Sequence, residues 1–169
     1  CTDKSSSQLK VISCSASTEY SSSYKCMNAF NGVHKDGGGN SWATRSQGSG
    51  SFIKANFGQK FSVTSFKYMQ RDGKSEHNKG IRLEFSDGSY QDYELKQDNS
   101  LQSFTLKQAV NTYFVKIVVL SHHSKVNNGA NEIIFYGFSG EPCASGAYLY
   151  PPPSSSPSGK ACTTVRSRL

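Results

Sequence analysis

Two short stretches, FIKANFG at residues 52–58 and EIIFYG at residues 132–137, bracket the part of the sequence that decides the fold. Between them, short segments of alternating apolar and polar residues are separated by polar loops. Such alternation is typical of a β-strand that buries one face, because successive side chains point to opposite sides of a sheet. The sequence therefore predicts an antiparallel β-domain whose loops are available to hold a ligand.

The clearest strand pair in this region is a hairpin. Residues 81–85 and 90–95 are joined by Ser86-Asp87-Gly88-Ser89, and Asp-Gly predicts a tight turn because Gly readily takes φ > 0. About eight strands with no convincing amphipathic helix predict an all-β fold, an antiparallel jelly-roll β-sandwich. The other predicted strands are residues 11–17, 52–57, 61–68, 104–106, 113–120 and 133–138, with a turn or short helical segment at 21–30.

Length and composition indicate one domain with a tail. The chain has 169 residues and five cysteines, and it contains no run of about 18 apolar residues that would predict a transmembrane helix. The cysteines, together with frequent Ser, Gly and Tyr, favour a secreted, extracellular protein. The chain begins at Cys1 rather than at Met, as expected of a processed or excised fragment.

Three segments are predicted along the chain. Residues 1–10 form a polar N-terminal segment anchored by Cys1 alone, and residues 11–143 form the β-sandwich domain. Residues 144–169 contain Pro151-Pro152-Pro153 and a run rich in Ser, Pro and Gly, which favours extended backbone and lacks material for a core. This tail is either a linker or stalk toward a further domain or a frayed C-terminus.

The charge favours anionic partners. A formal net charge of +7 and a pI of about 9.2 suit sulfated glycans, acidic lipid headgroups or nucleic acid. Alternatively, the lysines and arginines only solvate a strand-rich surface and blunt its edges. Nucleic acid is not the expected ligand, because the basic residues are scattered singly rather than forming a stripe interleaved with aromatic residues.

A series of short elements between Val11 and Gly137 points to a family. In chain order they are Ser15-Ala16-Ser17 with Tyr20, Ala29-Phe30-Asn31-Gly32, Trp42-Ala43-Thr44, Phe52-Ile53 with Phe57-Gly58, Val63, Arg71, the segment from Gly80 to Gly88, the segment from Tyr113 to Val119, and the segment from Asn128 to Gly137. In this order and spacing they resemble the discoidin family, the coagulation-factor type C domains, and the related galactose-binding-like carbohydrate-binding modules.

The resemblance implies a sandwich that binds ligands and catalyses no reaction. In this family, loops at one end of the sandwich hold a sugar, a phospholipid headgroup or a protein. The corresponding loops here are residues 18–25, 31–50, 71–79 and 121–131. Relatives that insert into membranes carry large apolar residues at the loop tips, whereas residues 44–51 and 71–79 contain none. Membrane insertion is therefore not expected, although electrostatic attachment to anionic lipid stays open.

Arg71 is the first candidate for contact with a ligand. It stands where a strand gives way to a loop, the position from which family members extend an arginine into the site. Its planar fork of donors suits vicinal hydroxyls, a carboxylate or a sulfate. The alternative is a structural ion pair with Asp72 or Glu76. The other candidate ligand-binding residues are His77, Asn78, His122 and Asn127, with Tyr20 or Tyr24 as a stacking face.

Some of these residues have simpler structural explanations. His77 and His122 are alternatively plain surface histidines, and Trp42 is expected to pack as core beneath the loops. His122 and His123 are neighbours on a strand and point to opposite faces, so joint chelation of a metal is awkward. No metal-protease, nucleophile-elbow or phosphate-loop motif occurs, and nothing recommends an enzyme.

The resemblance also implies a structural Ca²⁺ between the loop after the first strand and the last strand. Calcium takes six to eight oxygen ligands, in which carbonyl groups join one or two carboxylates. The matching positions are Asn31, where relatives often have Asp, and Glu132, with Asp36 in the same loop. The loss of one charge at Asn31 should weaken the site. The alternative is a loop held by hydrogen bonds alone.

The cysteines bear on the fold. Cys14 in the first strand and Cys26 after the turn suit a short disulfide, and the resemblance implies that Cys1 and Cys143 tie the ends of the domain together. Cys162 is left free or pairs with another chain.

Two functions follow from these observations. The first is a secreted, non-enzymatic, lectin-like domain that binds glycans, acidic or sulfated ones included, and mediates adhesion or recognition. The second is a cell-adhesion or matrix module that binds a protein, a polyanion or an anionic phospholipid headgroup.

Overall fold

Residues 5–35 and 37–139 are described by the structure, a computed structural model, and they form a domain built almost wholly of strands. Two short 3₁₀ helices, Cys26–Phe30 and Lys74–Glu76, are the only helical elements in this part of the chain. None of the helices in these residues could cross a bilayer. The strands are β1 (Ser7–Gln8), β2 (Ser13–Ala16), β3 (Trp42–Ala43), β4 (Phe52–Met69), β5 (Asn78–Phe85), β6 (Tyr90–Glu94), β7 (Leu101–His122), β8 (Gly129–Ala130) and β9 (Glu132–Ser139).

The long strands β4 and β7 take part in both layers of the sandwich. In one layer, residues 52–56 of β4 lie between β2 and residues 114–118 of β7, which continues the layer to β5 and β6. In the other layer, residues 61–69 of β4 pair with the first half of β7 and with β9, whose edge carries β1. All of these named strand pairs are antiparallel, as the sequence predicts.

Irregular register marks the bends of β4, the first of which carries the strand from one layer to the other. Its pairing with β7 shifts between Asn56 and Phe61 and again between Val63 and Ser65. Such irregularities bend a strand and let it pass from one sheet to the next. The strands predicted separately at residues 52–57 and 61–68 are therefore one bent strand, and those at 104–106 and 113–120 are likewise joined in β7.

The predicted hairpin is confirmed. β5 and β6 pair from Gly80 with Glu94 to Glu84 with Tyr90, and Gly88 in the turn has φ +85°. The core between the layers is apolar and aromatic. Its fully buried side chains include Trp42, Phe66, Tyr68, Ile81, Leu83, Ile133 and Phe135. Trp42 packs as core, as the sequence indicates, and its indole donates a hydrogen bond to the carbonyl of Thr18 at 3.1 Å.

The folded domain begins earlier than the predicted boundary at residue 11. Ser7–Gln8 pairs with the last strand, and Leu9 is buried and donates its N–H to the carbonyl of Phe135. The structure also contains the Cys14–Cys26 disulfide, which ties β2 to the first 3₁₀ helix. Cys1, Cys143 and Cys162 lie outside the described residues, as does the tail at 144–169.

Candidate ligand-binding site

Loops at one end of the sandwich surround a cleft of about 210 Å³. It is lined by Tyr20, Tyr24, Ala43, Arg71, Glu76 and Asn127. Four of these residues were proposed from the sequence as ligand contacts, and the structure brings them together although they are far apart in the chain. Ala43 and Glu76 were not proposed as contacts.

Arg71 is held from three sides in this cleft. It follows β4, and its Nη1 donates to Oε2 of Glu76 at 2.7 Å and to the backbone carbonyl of Asn127 at 3.0 Å. Its Cζ lies 5.4 Å from the ring centroid of Tyr24. The guanidinium of Arg71 lines the cleft and is also paired with a carboxylate. The ion-pair alternative therefore does not exclude contact with a ligand.

The two tyrosines form the aromatic wall of the cleft. Their rings meet edge to face with centroids 5.8 Å apart and an interplanar angle of 88°. Tyr20 is 48% exposed, so much of its side chain is open to a ligand. Its backbone is fixed by a bond from its N–H to Ala43 and by two donors of Arg45 on its carbonyl, at 3.1 and 2.9 Å. The wall is therefore an aromatic surface on an ordered backbone.

Asn127 closes the cleft from a strained loop. Within the described part of the chain, Asn127 and Ser46 are the two non-glycine residues with positive φ, at 73° and 52°. Oδ1 of Asn127 accepts the N–H of Ser46 at 2.7 Å, so the two unusual backbones stabilise each other. Strain of this kind clusters at binding sites, where the surrounding structure enforces it. The carbonyl of Asn127 is thereby held in place for Arg71.

His77 and Asn78 lie beneath the cleft and do not line it. Both side chains are fully buried. A ring nitrogen of His77 bonds the carbonyl of Arg71, and Asn78 donates to the hydroxyl of Tyr68 at 2.8 Å and to the carbonyl of Gly129 at 3.1 Å. Burial lowers the pKa of His77. The two proposed ligand contacts are corrected to supports of the cleft floor, and His77 is no surface histidine either.

His122 is partly buried and stands apart from the cleft lining. It faces Asn78 across the strand pair of β5 and β7. Its ring packs on Gly48 so closely that a Cβ at that glycine would overlap it. The packing gives His122 a role in positioning the 44–51 loop.

Glu76 is the residue that sequence reasoning assigned only to a structural ion pair. It ends the second 3₁₀ helix, its carbonyl accepts a bond from Asn128 at 3.1 Å, and its carboxylate enters the cleft. The available signal was the opposite charge of Arg71 and Glu76 within one short loop. Which of Asp72 and Glu76 would meet Arg71 depends on the 3₁₀ turn between them, for which the sequence carries no clear pattern.

The proposed calcium ligands lie partly within the described residues. Glu132 is buried, and its carboxylate accepts the N–H of Gly32 at 3.0 Å. Oδ1 of Asn31 accepts the N–H of Val33 at 2.8 Å. Burial raises the pKa of Glu132 to about 7, although hydrogen bonding by the backbone of Gly32 and Val33 opposes the rise. Backbone N–H donors face the side-chain oxygens of Glu132 and Asn31.

Backbone hydrogen bonds therefore hold the side chains of Asn31 and Glu132 in the described part of the chain. No group of three His, Cys, Asp or Glu side chains that could hold a metal occurs in residues 5–35 and 37–139, and Asp36 lies outside them. Calcium binding stays a prediction.

Comparisons with known proteins agree with this architecture. A family model described as the F5/8 type C domain matches residues 12–133. The family 32 carbohydrate-binding module of Clostridium perfringens NanJ, solved in complex with galactose, superposes with a TM-score of 0.65 at 15% identity, over 78% of this chain and 98% of that chain. No curated protein sequence matches the chain significantly.

Two further solved structures are similar. The family 32 module of AlyQ, in complex with 4,5-unsaturated mannuronic acid, has a TM-score of 0.61 at 20% identity, over 76% of this chain and 97% of that chain. A fucolectin from striped bass (Morone saxatilis) serum has a TM-score of 0.62 at 14% identity, over 75% of this chain and 45% of that chain. At such identities the likeness shows the fold alone, and it confirms the predicted β-sandwich.

Proposed function

The chain belongs to the F5/8 type C domain family, and from that premise we propose that it is a secreted, non-enzymatic carbohydrate-binding module. Its ligand site in this proposal is the cleft between Arg71 and the two tyrosines. The role that follows is adhesion or recognition at an extracellular surface.

The observation that carries the proposal is the composition of the cleft. Arg71 supplies planar donors, Glu76 supplies an acceptor, and the rings of Tyr20 and Tyr24 supply an aromatic surface, all around about 210 Å³. A monosaccharide needs these groups, because its hydroxyls donate and accept hydrogen bonds while its C–H face packs on a ring. Two similar structures were solved in complex with galactose and with 4,5-unsaturated mannuronic acid, which supports a carbohydrate as the class of ligand.

The same cleft argues for binding without catalysis. Hydrolysis of a glycosidic bond ordinarily uses two carboxyl groups that flank the bond. Among the described residues that line the cleft, Glu76 is the single carboxylate, and Arg71 is bonded to it. This arrangement suits an oriented hydrogen-bonding group better than a general acid.

A glycan-array screen of the purified chain, repeated with calcium and with a chelator, tests the proposal. We expect selective binding to a set of related sugars, lost in Arg71→Ala. Arg82→Ala is the matched control, since Arg82 also pairs with a carboxylate and an aromatic ring but lies outside the cleft. A blank array, or binding that survives in Arg71→Ala, contradicts the proposal.

The net charge of +7 supports a second function, a cell-adhesion or matrix module that binds a protein, a polyanion or an anionic phospholipid headgroup. Ionic strength separates the two functions. Binding through distributed charge falls steeply as salt rises, whereas hydrogen-bonded recognition of a neutral sugar changes little. Binding to anionic vesicles that is lost in moderate salt would favour the second function.

A further inference from the structure

We propose that Glu76 makes the cleft selective for uncharged saccharides and rejects sugars that carry a carboxylate or sulfate. This inference rests on the proposed function, because it specifies which carbohydrates the same cleft accepts. It departs from the expectation drawn from net charge, which favours acidic glycans.

The charges in the cleft are unequally exposed. The side chain of Glu76 is 25% exposed and that of Arg71 is 13% exposed, so the carboxylate is the more open of the two groups. The guanidinium is also occupied in part, since its Nη1 already bonds Glu76 and the carbonyl of Asn127. A ligand that enters the cleft therefore meets the carboxylate of Glu76 before it meets the guanidinium of Arg71, which already has partners.

An anionic ligand gains little from this arrangement. To pair with Arg71 it would have to displace Glu76 from a contact of 2.7 Å or lie beside it, and two carboxylates a few ångströms apart repel. Arg45, the other arginine near the aromatic wall, directs two of its donors to the carbonyl of Tyr20 and does not line the cleft.

An uncharged sugar can use both charges at once. One hydroxyl of a vicinal pair donates to the carboxylate of Glu76 while its neighbour accepts from the guanidinium of Arg71. Hydrogen bonds to charged groups are stronger than those between neutral groups, so the ion pair serves as a donor and acceptor set for a diol. The wall formed by Tyr20 and Tyr24 accepts the apolar face of the ring.

Matched pairs of sugars test the inference. Affinities of the whole chain are measured in low salt by ligand-observed NMR for galactose and galacturonic acid and for mannose and mannuronic acid. Within whichever pair binds, we expect the uronic acid to bind about tenfold or more weakly than its neutral partner. In Glu76→Gln, which keeps the size of the side chain and an acceptor for Arg71, we expect that difference to fall below about threefold.

Glu84→Gln is the control for these measurements. Glu84 also pairs with a basic side chain, Lys116, at 2.9 Å, but it lies on the sheet away from the cleft, so its replacement should leave the discrimination unchanged. Thermal unfolding of each variant shows that it is folded. A uronic acid that binds as tightly as its neutral partner overturns this inference and leaves the proposed function standing. Absence of binding to all four sugars, with a blank glycan array, contradicts both.

Discussion

Two arginine–carboxylate pairs in this molecule have similar chemistry and different surroundings. Arg71 and Glu76 meet at 2.7 Å in the cleft, and Arg82 and Asp92 meet at 2.7 Å on the β5–β6 hairpin. Each arginine lies over a tyrosine, at 5.4 Å for Tyr24 and 3.9 Å for Tyr90. The hairpin pair is the more exposed, at 32% and 43% against 13% and 25% in the cleft.

The surroundings of the two pairs differ in how well they suit a ligand-binding site. Arg82 bonds both oxygens of Asp92, at 2.7 and 2.9 Å, so that pair is complete in itself. Its hydrogen bond raises the pKa of Arg82 and lowers the pKa of Asp92. Arg71 is instead shared between a carboxylate and a backbone carbonyl, inside a concave surface with a second aromatic ring. Concavity and shared bonding, more than charge, distinguish the site.

The largest expected effect on stability comes from removing the disulfide, which supports the cleft and has no counterpart in the β5–β6 hairpin. The Cys14–Cys26 disulfide, with a sequence separation of 12, holds the segment that carries Tyr20 and Tyr24. Replacing both cysteines by serine should lower the free energy of unfolding by about 3 kcal/mol in the chain-entropy model. Denaturant unfolding with and without reductant measures this loss, which should disappear when the unmodified chain is also reduced.

The floor of the cleft should be nearly as sensitive. Tyr68 is buried, and its hydroxyl donates to the carbonyl of Gly129 at 2.7 Å and accepts from Asn78 at 2.8 Å. Tyr68→Phe deprives both partners of this hydroxyl inside the protein, which should cost about 1–3 kcal/mol in urea unfolding. Tyr93→Phe, at a hydroxyl that bonds Gln91 near the surface, is the control with a smaller expected cost. Equal effects of the two changes would contradict the assignment of the floor.

Glu132 is a third carboxylate, and it faces backbone N–H groups where Glu76 and Asp92 face arginines. Its pKa rises from 4.5 to about 7 on burial. Since the folded state binds this proton more tightly than the unfolded state, the resulting stability is full below about pH 4.5 and is lost as pH rises through 7, a change on the order of 3 kcal/mol. Thermal unfolding across this range should show the loss in the native chain and a flatter profile in Glu132→Gln.

Calcium gives the same experiment a second arm. A bound Ca²⁺ would favour the ionised carboxylate and raise the unfolding midpoint at pH 8 in the native chain but not in Glu132→Gln. That outcome would support the calcium site expected from the family resemblance. An unchanged midpoint would support a loop held by hydrogen bonds.

The two arginines should differ least in stability. Arg71→Ala leaves the partly buried Glu76 without its partner and should cost about 1 kcal/mol. Arg82→Ala removes an exposed pair and should leave the urea midpoint unchanged, since exposed ion pairs contribute little. A larger loss of stability in Arg82→Ala than in Arg71→Ala would contradict this expectation.

Sequence reasoning predicted the local features of the fold and missed the long-range ones. The Asp-Gly hairpin and the family resemblance are confirmed, because each depends on short motifs in order along the chain. The continuity of β4 and β7 through their bends was missed, since Gly58 and the polar residues around it look like the end of a strand.

The site was predicted in part for the same reason. Loop position found Tyr20, Tyr24, Arg71 and Asn127, which line the cleft. Polarity placed His77 and Asn78 at the surface, yet both are buried, where a ring nitrogen of His77 bonds the carbonyl of Arg71 and the amide nitrogen of Asn78 donates to the hydroxyl of Tyr68 and the carbonyl of Gly129. Those partners lie in β4, in β8 and in the loop after β4, so they come from separate parts of the chain.

The most direct test of the central claim is backbone amide NMR of the native chain, titrated with the tightest neutral sugar from the array. We expect chemical-shift changes confined to the loops that carry Tyr20, Arg71, Glu76 and Asn127, with the amides around Arg82 and Tyr90 unchanged. Changes centred on the β5–β6 hairpin, with the cleft unaffected, would contradict it.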